Sequence, residues 1–160
     1  IRLDKNNLKS KSMSLSGNMG KPADIKLNWE KSKVTGHSLM ARAAYQKQGK
    51  ITVNRVLPEN TFERSAAILL AHLYEVEEGK TYPFNWYNGY SDELKYIELS
   101  YQGEEKVRVP AGEYKTYKVQ LLGGAPSQMF YISKEEKPKI VKIEVLASPW
   151  SYHLTESALN

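Results

Sequence analysis

Three histidines, His37, His72 and His153, and three aspartates, Asp4, Asp24 and Asp92, are where a metal site or an acid–base pair would first be sought. None stands at ligand spacing. The chain has no H-E-x-x-H and no calcium-loop pattern, and without cysteine it has neither thiolate ligands nor disulfides. The expectation is no metal and no cofactor. A serine nucleophile would call for a G-x-S-x-G elbow, which is missing. The pairs Glu77-Glu78, Glu104-Glu105 and Glu135-Glu136 offer the two carboxylates of a glycosidase, but each lies beside a predicted turn, where solvated charge is the ordinary outcome. "LLGGAPS" has two glycines with no lysine after them and no strand-to-helix setting, so it reads as a loop and not as a phosphate cradle. No catalytic residue is expected.

The one unusual concentration is aromatic. In "TYPFNWYNGY", Tyr82, Phe84 and Trp86 share a parity, and Tyr87 and Tyr90 flank an Asn88-Gly89 pair suited to a type I′ turn. Such a group is either core plus exposed turn tyrosines or a rim that stacks on sugar rings or closes over an acyl chain.

The elements that position these residues follow from periodicity. Residues 1–24 are polar, with one exposed strand around Met13 and Leu15, and read as a loosely ordered segment. Ile25, Leu27 and Trp29 alternate with polar residues until Gly36 breaks the run; Leu39, Ala41, Ala43 and Tyr45 then form the inward face of a further strand, followed by "ITVNRVL". The period changes at "PENTFERSAAILLAHLYEVEEG". Asn60 and Glu63 have capping-box spacing, and Phe62, Ala66, Leu69, Leu70 and Leu73 recur at helical steps, which predicts one main helix near 61–74. Strands resume in "TYPFNW", "LKYIELSY", "EKVRV", "EYKTYKVQLL", "QMFYIS", "KIVKIEVLA" and "SYHLTE". In "VRVPAGEYKTYKVQ", a three-residue loop of Pro110, Ala111 and Gly112 predicts a hairpin with Gly112 at positive φ and with Val107, Val109, Tyr117, Val119 and Leu121 inward. Nine or ten strands around one helix make an α+β fold, a mostly antiparallel sheet in a single domain over residues 1–160.

The hairpin residues Val107, Val109, Pro110, Ala111, Gly112 and Tyr114, the aromatic strand with Phe130 and Tyr131, and the ending Tyr152 to Leu154 resemble the signature of the bacterial family called domain of unknown function 3108. "RVLPENTFERSAAILLAHLYEVEEGKTYPF" is similar to that family's upstream element, and the resemblance spans roughly residues 25–156. It implies a periplasmic or secreted envelope protein with a curved sheet, an incomplete β-barrel like the lipoprotein carriers, and it brings no activity with it.

Charge and hydropathy fit that setting. The net charge is +5, but the lysines are interleaved with glutamates as on solvated strand faces, and only the first thirty-three residues, with eight Lys or Arg, are locally basic. No nucleic-acid partner is expected. No apolar run is long enough to span a bilayer, and a start at Ile1 reads as a trimmed chain, such as removal of a targeting peptide leaves.

The reading is a non-enzymatic envelope domain that holds an apolar ligand, a lipid or acyl chain, between sheet and helix. Its expected walls are Leu69, Leu70 and Leu73 of the helix, Tyr82, Phe84 and Trp86 of the next strand, Trp29 opposite, and Ala41 and Ala43, whose small side chains leave room. Two rival readings stay open: an interaction module that pairs with another envelope protein through edge strands, and a glycan-binding or glycan-acting protein.

Overall fold

A computed structural model of the chain describes residues 1–18, 22–40, 49–73, 77–124 and 126–156. Alternating apolar and polar residues become strand almost throughout, with one helix among the described residues. The chain divides into two compact units, Ile1–Ala67 with Phe84–Lys95, and Ile68–Pro83 with Tyr96–Asn160.

The first unit is built on a meander. Strands β1 (Arg2–Leu3), β2 (Ser10–Asn18), β3 (Pro22–Glu30), β4 (Lys33–Met40) and β5 (Ile51–Val56) lie side by side in chain order, each antiparallel to the next. β3 buries Ala23, Ile25 and Leu27 and exposes Lys26 and Asn28, the parity read from its residues. Met13, Val34, Val53, Leu57 and Tyr87 complete the cluster around them. Each fully buried aliphatic side chain there contributes roughly 1.5–3 kcal/mol. Because Met13 belongs to that cluster, β2 is a full member of the sheet and not the exposed strand expected.

Two expectations about β4 are corrected. Gly36 does not end a strand. It sits within β4 opposite Leu27 at φ +140, and a Cβ there would stand 2.0 Å from the Lys26 carbonyl oxygen. The inward set is Val34, Ser38 and Met40, while Leu39 is only half-buried. The neighbouring strand dictates this: Trp29, Ile25 and Ala23 pair with Val34, Ser38 and Met40, and residues directly opposite share a face. Ala41 and Ala43 lie outside the described residues.

After β5 the expected capping box is not formed. Thr61–Glu63 is a short strand, β6, parallel to β7 (Thr81–Asn88), so the ladders are not antiparallel everywhere. Helix α1 (Arg64–Leu73) then runs for 10 residues, fewer than three turns and shorter than the helix expected over 61–74. Glu63 itself caps it, with Oε2 accepting the Ser65 N–H at 2.7 Å. Ala66, Leu70 and Ala71 mark the buried arc of α1, and Leu69 falls outside it and is exposed. The Leu73 side chain lies outside the described residues.

The turn after β7 is not type I′. The Asn88 side chain accepts the Tyr90 N–H at 3.1 Å, the Ser91 N–H donates to the Asn88 carbonyl at 3.2 Å, and the positive φ falls on Asp92. Gly89 serves packing: a Cβ on it would meet Leu27 Cδ1 at 2.7 Å.

The second unit holds most of β8 (Glu93–Val109), then β9 (Gly112–Leu122), β10 (Gln128–Ser133), β11 (Ile140–Val145) and β12 (Ser151–His153), each antiparallel to the one before. The two strands expected in "LKYIELSY" and "EKVRV" are one, of 17 residues, with a register shift between Tyr101 and Glu104 where Gly103 has φ +94. The hairpin after it closes on Pro110 and Ala111 alone, pairing Val109 with Gly112 and Val107 with Tyr114. Gly112 has the expected positive φ, +137, but the shorter loop moves the register by one residue. Tyr117, Val119 and Leu121 therefore face away from Val107 and Val109. Both faces of this ladder are covered. Val107, Val109, Tyr131 and Val141 cluster on one side, and Leu99, Val119, Leu121 and Phe130 are buried on the other. That is why β10 buries four residues in succession, Phe130 to Ser133.

Candidate functional site

The first unit contains a cavity of about 420 Å³, and its lining begins where β2 begins. Before β2 the chain turns on itself, with the Asp4 N–H donating to the Lys9 carbonyl at 2.8 Å and Leu8 taking a positive φ of 56°. This directs the Lys9 side chain at the segment preceding α1. Its Nζ donates to the Glu59 carbonyl at 2.5 Å and the Thr61 carbonyl at 3.1 Å, and it lies 4.0 Å from the centre of the Phe62 ring. Burial draws this ammonium's pKa below the ordinary lysine value.

The opposite wall is the indole of Trp29 at the end of β3, held edge-on against the buried Tyr87 with ring centres 6.1 Å apart. Leu57 and Pro58 supply the remaining apolar wall. The Leu57 N–H donates to the Ser32 carbonyl at 2.8 Å, and both the Thr61 N–H and its hydroxyl donate to the Pro58 carbonyl, which fixes the loop leading to β6.

Two oxygens at this cavity have no partner. Ser10 Oγ and Glu63 Oε1 are both buried and unbonded, and both residues line the space. Glu63 is 2% exposed, its other oxygen being spent on the cap of α1. Burial pushes its carboxyl above the usual carboxylate range, against the pull of the Ser65 N–H. A buried polar atom without a partner is costly unless something completes it. Chemically the arrangement can recognise hydrogen-bonding groups beside an apolar face. Among the described residues no group is hydrogen-bonded to Ser10 Oγ.

Among the described residues of the ligand site expected from sequence, Trp29 alone lines this cavity. Phe84 and Trp86 are buried, Tyr82 is half-buried, and Phe84 packs edge-on against Phe62 with ring centres 5.9 Å apart. Leu70 is buried and Leu69 exposed. Lys9, Ser10 and Glu63 were missed. Lys9 and Ser10 lie in the segment read as loosely ordered, and Glu63 is read from sequence as the partner of Asn60 in a capping box. An acidic residue just after Phe62 and two positions before "SAAILLA" is the signal that could have marked Glu63 as buried.

The titratable residues first considered are dispersed. His37 Nε2 is 3.1 Å from an Asp24 oxygen that Lys50 also shares at 3.1 Å, near the surface. Glu104 and Glu105 lie within β8, beyond the turn expected there, and pair with Lys134 and Lys118. Ser151 Oγ lies 3.0 Å from His153 Nε2, with both residues exposed. Among the described residues no three His, Asp or Glu gather as metal ligands.

Fold and site together define a mostly β chain with one short helix and a polar-and-apolar cavity in its first unit. The chain belongs to the family described as protein of unknown function DUF3108, whose model matches residues 1–149. The match takes in the N-terminal strands that the resemblance had left out and stops short of Tyr152 to Leu154. No curated protein and no solved structure matches the chain. Among the described residues no helix is long and apolar enough to cross a membrane.

Proposed function

We propose that the chain is a non-enzymatic binding domain of the bacterial cell envelope, periplasmic or secreted, that seats a small ligand in the cavity beside Trp29. The observation that carries this reading is the space itself: about 420 Å³, within the range of small-molecule sites, with an indole and several polar side chains in its lining. The lining offers a ligand both an apolar face and polar groups.

Calorimetric titration of the purified chain with palmitate and with cellobiose tests the reading. Saturable binding of either, abolished by Ser32→Trp, which puts an indole into the mouth of the cavity from an exposed turn position, is the expected result. Binding of neither ligand, or binding indifferent to Ser32→Trp, would sink it.

A second reading has one observation in its favour. β12 is the last strand of its ladder, and Trp150 and Tyr152 beside and within it are 68% and 59% exposed, which suits strand addition by another envelope protein. A partner that co-purifies with the parent chain but not with a Trp150→Ser, Tyr152→Ser variant would support it.

A further inference from the structure

We infer that the ligand of the Trp29 cavity is a saccharide, whose ring lies on the indole and whose hydroxyls complete Ser10 Oγ and Glu63 Oε1. The inference rests on the binding reading above and adds the chemical class. Two observations converge on it.

The first is the pair of unbonded oxygens. Both are buried and belong to residues lining one cavity, in a protein whose interior otherwise satisfies its polar groups with few exceptions. An acyl chain would leave both without a partner. A sugar ring carries hydroxyls on adjacent carbons, each able to donate and to accept. Such a group suits Glu63 in either protonation state, donating to the carboxylate or accepting from the acid.

The second is the wall. Trp29 is only partly buried, so part of its indole is free of the core. Its contact with Tyr87 is edge-on, at an interplanar angle of 81°. Flat aromatic surface beside convergent hydrogen-bonding groups is suited to the mixed character of a pyranose, apolar on its C–H faces and polar around its rim.

Calorimetry on the intact chain, with cellobiose, maltose and N,N′-diacetylchitobiose as probes and palmitate in parallel, separates the possibilities. At least one disaccharide should bind. Ser10→Ala should weaken that binding several-fold and Glu63→Leu roughly tenfold, as loss of one hydrogen bond implies. Glu63→Leu also removes the cap of α1, so its fold is checked by circular dichroism; if it does not fold, Ser10→Ala decides. Palmitate binding that Ser32→Trp blocks, with no disaccharide bound, overturns the saccharide while the cavity reading stands. Binding of no probe overturns both. Disaccharide binding unchanged in folded Ser10→Ala and Glu63→Leu also overturns the inference.

Discussion

Glu63 is a carboxyl that folding takes almost wholly out of water, and its chemistry sets two expectations. Its pKa is raised in the folded state, chiefly by burial. Between its unfolded value and that raised value the folded chain keeps a proton that the unfolded chain has lost, so stability falls as pH rises through this window. Glu63→Gln keeps an acceptor for the Ser65 N–H and removes the ionisation. The variant should therefore have a flatter dependence of thermal midpoint on pH from about 4.5 upward, and a midpoint at pH 7 no lower than the parent's. A steeper slope, or a large loss at pH 7, would show that the charged form is the stabilising one. The glycines Gly36 and Gly112 make a second residue-scale comparison. Both have positive φ, but only Gly36 would drive a Cβ into backbone, whereas at Gly112 the nearest atom is a Tyr114 ring carbon at 3.7 Å. Gly112→Ala should cost about 1 kcal/mol for its backbone conformation, and Gly36→Ala at least twice that. Equal thermal midpoints for the two variants would contradict the close approach of β3 and β4.

At the scale of elements, the register shift in β8 decides which residues are core. Beyond it Val107 and Val109 join one cluster, and before it Leu99 belongs to the opposite face. Deleting Gly103 would remove the one extra residue on the β8 side, so that the pairs Tyr101 with Val119 and Glu104 with Tyr117 follow regular alternation and both sets keep their faces. The expected result is cooperative melting with amide protection in β9 and β10 retained, measured by hydrogen exchange. Loss of that protection would mean that the irregularity at Gly103 is itself required. Such features explain what was legible in the sequence. β3, β5 and β10 were readable because alternation or a short apolar run is a local signal, and Gly112 was readable because a proline-led turn is local too. The faces of β4 and β9 were not, because they depend on partners: Trp29 opposite Val34 sets the first, and the shift near Gly103 together with the two-residue loop sets the second. α1 was found but placed too early, because Thr61–Glu63 pairs with Asn85–Tyr87, a contact that helical periodicity cannot foresee. Of the site, only Trp29 was legible. Its polar half joins Ser10 to Glu63 across more than fifty residues of chain.

For the molecule as a whole, charge is distributed so as to cancel locally. Among the described residues eight lysines, from Lys11 to Lys142, each lie within ion-pair distance of an aspartate or glutamate. Exposed pairs of this kind contribute roughly 0–1 kcal/mol each and are screened by salt. The thermal midpoint should accordingly move by only a few degrees between about 0.05 and 0.5 M NaCl, and duplex DNA should not bind at physiological salt despite the net charge of +5. The central claim is that a small ligand enters the cavity of the first unit, and the three tryptophans occupy environments distinct enough to report on it. Trp29 lines the cavity, Trp86 is fully buried, and Trp150 is exposed. Two-dimensional NMR of the three indole N–H groups during titration with a disaccharide or palmitate tests the claim most directly. A saturable shift of the Trp29 resonance, with those of Trp86 and Trp150 nearly still, is the predicted result. A still Trp29 resonance at ligand saturation, or a response centred on Trp86 or Trp150, would contradict it.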